Sequence, residues 1–282
     1  MKDNSLLRLP RASKKHWAGF CPHPFVAKLH LLMCERGFSF SVVDKDWRYL
    51  AWNKPLFDGY ESSVQISPIN TRKDKPEAFG VYVRPCIESR RQAIVDDVVK
   101  PWECINLREG NRAGSDGEKS MIFSAYLDWL AERWDPVATC PEDGWGRWNH
   151  MKTQYSEEIA HDVISVFDRQ GADFFKYLGT PLKLANALLD PAGFPGLRSG
   201  ESRNVSPKGI FPEEFAAVLL HDAGQTDQAK AALESSLRRI EAQVKTGRSD
   251  AMDVEIQKCK IERYLRWIEH GDVPQGAIQV EM

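Results

Sequence analysis

Arg36-Gly37-Phe38-Ser39-Phe40-Ser41-Val42 is where the chain changes its hydrophobic period. Upstream, Phe25, Leu29 and Leu32 recur at i, i+4 and i+7, which gives a helix one apolar face. Gly37 follows that helix and suits its C-cap, where φ is positive. Downstream, Phe38, Phe40 and Val42 alternate with Ser39 and Ser41, the spacing of a half-buried strand. A helix running straight into a strand predicts mixed structure, and the rest of the chain is read from there.

The alternation resumes after the charged turn Asp44-Lys45-Asp46, in Trp47, Tyr49 and Ala51. Pro55 and Gly59 punctuate it, and Tyr60–Ile69 reads as another strand, with Val64 and Ile66 on one side. A polar turn is expected at 70–76. Phe79, Val81 and Val83 form a further alternating segment that Pro85 is expected to end. Short turns between neighbouring strands make an antiparallel meander the simplest topology. A helix is expected at 90–99.

Residues 106–120 are rich in glycine and charge and read as a linker. Beyond them helical spacing dominates. Phe123, Leu127, Leu130 and Trp134 lie on one stripe, widened by Ile122, Tyr126 and Trp129 and closed by Pro136. A helix is expected from Ser156, with Glu157 and Glu158 at its positive N-terminal end and Ile159, Val163 and Val166 inward. Pro181–Leu189 reads as a short helix before a long loop at 190–209. Pro212 suits the first position of a helix, and further helices follow at 228–244 and 251–268. The expectation is an α+β protein: a small antiparallel sheet with a helix in a domain at 1–110, then an all-α domain of helical hairpins at 118–282.

Hydrophobic residues make up 42% and charged residues 28% of 282, which excludes disorder of the whole chain. A net charge of −2 favours neither nucleic acid nor an acidic membrane as partner. The first twenty residues hold no apolar run of the roughly 7–15 that a secretory signal needs. No segment reaches the roughly 20 apolar residues of a membrane span. Six scattered cysteines read as reduced thiols, and the expected compartment is the cytoplasm.

Gly144-Trp145-Gly146-Arg147-Trp148 is the most distinctive local feature. Trp and Arg are the residue types that anchor interfaces, so Trp145, Arg147 and Trp148, with the flanking Glu142 and Asp143, are the candidate interaction residues. Tryptophans folded back on the helical core would leave the same trace. Between Glu88 and Asp143, twelve acidic residues face seven basic ones, which would suit a basic partner such as a nuclease. Solvated helix faces give the same excess.

Cys21, His23, His30 and Cys34 carry metal-ligand chemistry, and His30 and Cys34 share a helix face. Their order is not a familiar zinc spacing, and packing at a helix flank is the simpler reading. No cofactor is expected. His161 stands four residues after Glu157 and beside Asp162, the one place where an acid–base pair can be drawn. Such pairs are usually solvated helix contacts. No G-x-S-x-G, phosphate-binding loop, dinucleotide fingerprint or H-E-x-x-H is present.

Two resemblances bear on function. Ala217, Leu220, Gly224, Ala229 and Leu233 make the helix pair around Gly224 resemble one tetratricopeptide repeat, a unit whose family stacks helix pairs to hold other proteins. A plain helical hairpin gives the same pattern. In the N-terminal part, Leu29, Gly37, Phe38 and Trp47 resemble small bacterial proteins of uncharacterised function, some encoded beside toxins. That resemblance implies an immunity protein, for example against type VI secretion toxins. The expected function is therefore non-enzymatic: a protein-binding factor that occludes a cognate toxin. A hydrolase using His161 and a tetratricopeptide-type adaptor are the alternatives. The same Trp-rich composition would also close a homodimer.

Overall fold

The computed structural model describes residues 23–42, 50–69, 78–89, 120–127, 130, 147–148, 151–190, 212–247 and 251–271. The expected turn at 70–76 and helix at 90–99 lie outside these residues, as do Trp47, Tyr49 and the linker expected at 106–120 except for Ser120, which opens a strand. Two compact units are present, one of residues 1–87 with 124–177, the other of residues 88–123 with 178–282.

The fold is α+β. Helix α1 (His23–Glu35) leads into strands β1 (Ser39–Val42), β2 (Leu50–Phe57), β3 (Tyr60–Ile69) and β4 (Ala78–Ser89), with β5 (Ser120–Ser124) later in the chain. The strands lie in the order β1-β2-β3-β4-β5, and the short β6 (Met151–Lys152) pairs antiparallel with β4. β1 with β2 and β2 with β3 are antiparallel, with Phe40 opposite Trp52 and Trp52 opposite Val64. The helix-to-strand change at Gly37 is a Schellman cap. The Gly37 N–H donates to Cys34 O at 2.9 Å and the Phe38 N–H to Met33 O at 3.1 Å, with φ of +76° at Gly37.

Two prolines lie inside strands rather than ending them. Pro55 is within β2, where the register shifts between Pro55 and Phe57, so the ladder bends around the residue with no N–H. Pro85 is within β4, and its carbonyl accepts from the Ala125 N–H at 3.1 Å. The helical stripe expected to start near Phe123 is also corrected. Ile122 and Phe123 belong to strand β5 and are both fully buried. A strand buried on both faces shows a continuous apolar run, which periodicity does not separate from a helix. Helical turn begins only after it, where the Leu130 N–H reaches Tyr126 O at 3.1 Å.

In the first unit α1 covers one face of the sheet, with the ring of Phe25 tilted against that of Phe79 at 5.4 Å. Helix α2 (Ser156–Val166) packs on α1 and continues through a π-helical turn at Phe167–Gly171 into α3 (Ala172–Tyr177). Phe38, Phe167 and Phe175 meet there, at centroid distances of 5.7 to 6.3 Å. Arg36 at the end of α1 grips Asp168 of the π turn with two hydrogen bonds, of 2.6 and 2.5 Å.

The second unit holds helices α4 (Pro181–Leu189), α5 (Pro212–Asp222), α6 (Thr226–Lys245) and α7 (Ala251–His270), each packed on the next. α5 is central, with every residue from Glu213 to Leu220 buried. The α5–α6 hairpin turns at Gly224, φ +74°, with the same cap as at Gly37. No helix among the described residues is long and apolar enough to cross a membrane.

Candidate functional site

The sheet of the first unit has two chemically different faces. Trp52 and Phe79 look toward α1, the first through a hydrogen bond to His30 and the second through Phe25. Side chains alternate along a strand, so Ala51 and Asn53 of β2 and Gly80, Tyr82 and Arg84 of β4 occupy the opposite face. The ladder puts Gln65 opposite Ala51, Ser63 opposite Asn53 and Glu61 opposite Pro55 on that same face. One side is thus Phe, Trp, Val and Leu, while the other is Ser, Asn, Gln, Glu, Tyr and Arg, with Ala51, Asn53, Ser63 and Gln65 buried.

The polar face is built in two parts. At its centre Ser63 Oγ donates to Asn53 Oδ1 at 2.8 Å, and both residues are buried. Beside them Tyr82, Arg84 and Tyr126 form a half-exposed cluster. The Arg84 guanidinium lies 4.7 Å from the centre of the Tyr126 ring and donates to that residue's hydroxyl at 2.6 Å. Tyr82 packs 5.4 Å from the same ring. Stacking and a charged hydrogen bond therefore hold one cation in a fixed orientation. Sequence reasoning passed over this cluster. Its signal was present, because the in-between positions of the β4 alternation are Tyr and Arg, residues of interfaces more than of plain solvated edges.

The candidate interaction residues from the sequence fall elsewhere. Glu142, Asp143 and Trp145 lie outside the described residues. Arg147 and Trp148 converge on Asp162 of α2. Arg147 donates to both carboxylate oxygens, at 3.0 and 2.8 Å, and the Trp148 indole N–H donates at 2.9 Å. Trp148 is only 2% exposed, and its carbonyl accepts from the Val81 N–H, so its ring is part of the core. Burial pushes the Asp162 carboxyl up. The hydrogen bonds from Arg147 and Trp148 and the charges of Arg147 and Arg169 outweigh that, and hold it below the ordinary carboxylate value.

His161 and Glu157 are both exposed on α2 and share no hydrogen bond. Of the four residues weighed as metal ligands, Cys21 and the His23 side chain lie outside the described residues. His30 Nε2 is 3.5 Å from Cys34 Sγ, and His30 Nδ1 accepts from the Trp52 indole at 3.1 Å. An indole N–H only donates, so Nδ1 carries the lone pair and neutral His30 carries its proton on Nε2. That assignment leaves no ring nitrogen of His30 available to a metal. Among the described residues no group of three His, Cys, Asp or Glu is placed to hold an ion.

A second polar cluster, also unforeseen, lies inside the helical unit. Glu214 of α5 is fully buried and forms an ion pair with Lys260 of α7. Gln257 of α7 donates to Glu214 Oε1 at 2.9 Å and to Ser236 Oγ of α6 at 3.1 Å, and Ser236 donates on to Leu233 O at 2.7 Å. Arg239 of α6 reaches the buried Glu213 at 2.5 Å. Three helices are joined in one register by polar side chains, an arrangement suited to rigidity.

Comparison with protein families, curated proteins and solved structures gives no match for this chain.

Proposed function

We propose that this chain is a protein-binding factor whose contact surface includes the partly exposed Tyr82, Arg84 and Tyr126. The observation that carries this reading is the Tyr82–Arg84–Tyr126 cluster. Tyr and Arg supply much of the energy of protein interfaces, because they pair a large contact area with directed hydrogen bonds. Here they are held in place beforehand. Ordering a long side chain on binding costs about 0.5–1.5 kcal/mol, and a stacked guanidinium avoids much of that cost.

The narrower proposal is an immunity protein that occludes a cognate toxin. It rests on the N-terminal resemblance through Leu29, Gly37, Phe38 and Trp47. The test is co-expression with the toxins encoded beside its own gene, followed by growth assay and co-purification. Protection and a stable complex, both lost in a Tyr82→Ala/Tyr126→Ala variant that still folds, are the expected result. A chain that neither binds nor protects would defeat the narrower proposal. A complex that survives the double variant would defeat the choice of face.

A further inference from the structure

We draw no further inference here: the strongest candidate, the exposed Cys34 thiol beside the buried His30 imidazole near the C-terminal end of α1, is a lone cysteine, and nothing among the described residues points to a ligand or a reactant there.

Discussion

Lys260 meets Glu214 deep between α7 and α5, with side-chain exposures of 9% and 0%. Two charges removed from water gain little net stability as a pair, but either one left alone is costly. Lys260→Met is therefore expected to destabilise the protein by about 3–5 kcal/mol, because Glu214 would stay buried with only Gln257 beside it. Glu214→Leu/Lys260→Met removes both charges and is expected to regain most of that loss. Urea melts of the two single variants and the double variant measure the difference. A double variant as unstable as the sum of the singles would show that the pair is not the source of the effect.

The Asp162 carboxylate ties the 147–148 segment to α2. Asp162→Ala leaves the buried Trp148 N–H without its acceptor, which is expected to cost about 1–3 kcal/mol. The same contact predicts a pH dependence. Asp162 titrates below its ordinary value in the folded protein, so the folded state favours its charged form. Its stabilisation is present above the unfolded pKa of about 4 and is lost as pH falls through the lower folded value. The wild-type melting temperature should thus fall more steeply than that of Asp162→Ala at acid pH. Parallel curves would contradict this.

Much of the fold was legible because it depended on neighbours in sequence. The period change around Gly37, the prolines opening α4 and α5, and the turn at Gly224 are local signals, and each lies where its spacing placed it. What was not legible depended on partners far along the chain. Arg36 and Asp168 are 132 residues apart, and nothing in either neighbourhood announces the other. Pro55 lies where the register of the β2–β3 ladder shifts, which only the pairing reveals. For the candidate site, Arg147 and Trp148 were noticed through residue type alone. The direction of their side chains was fixed by Asp162, which had been weighed only as a neighbour of His161.

Gly171 closes the π turn against the ring of Phe167. A Cβ at Gly171 would stand 2.4 Å from Phe167 Cδ2, far inside contact distance. Phe167 is in turn wedged between Phe38 and Phe175, so its ring has little room to yield. Gly171→Ala is expected to cost about 1–3 kcal/mol, the usual scale of overpacking. Phe167→Leu should relieve part of it, and the double variant should fall short of the sum of the two singles. Strict additivity in denaturant melts would rule out the clash as the cause.

Trp52 sets the proton of His30. The indole N–H donates to Nδ1 at 3.1 Å, and Phe40 packs edge-on against both rings, at 5.8 Å from His30 and 5.6 Å from Trp52. The imidazole is held in a single tautomer, protonated on Nε2, with that nitrogen beside Cys34 Sγ. Long-range proton–nitrogen correlation spectra are expected to show that tautomer for His30. In Trp52→Phe the donor to Nδ1 is gone, and the two tautomers should become mixed, with a loss of about 1–3 kcal/mol in stability for the smaller ring and the unmade hydrogen bond. Zinc added to the wild-type protein should leave the His30 signals in place, since both ring nitrogens are already occupied. A zinc-induced shift confined to His30 and Cys34 would show instead that the indole contact gives way and that Nε2 becomes a ligand.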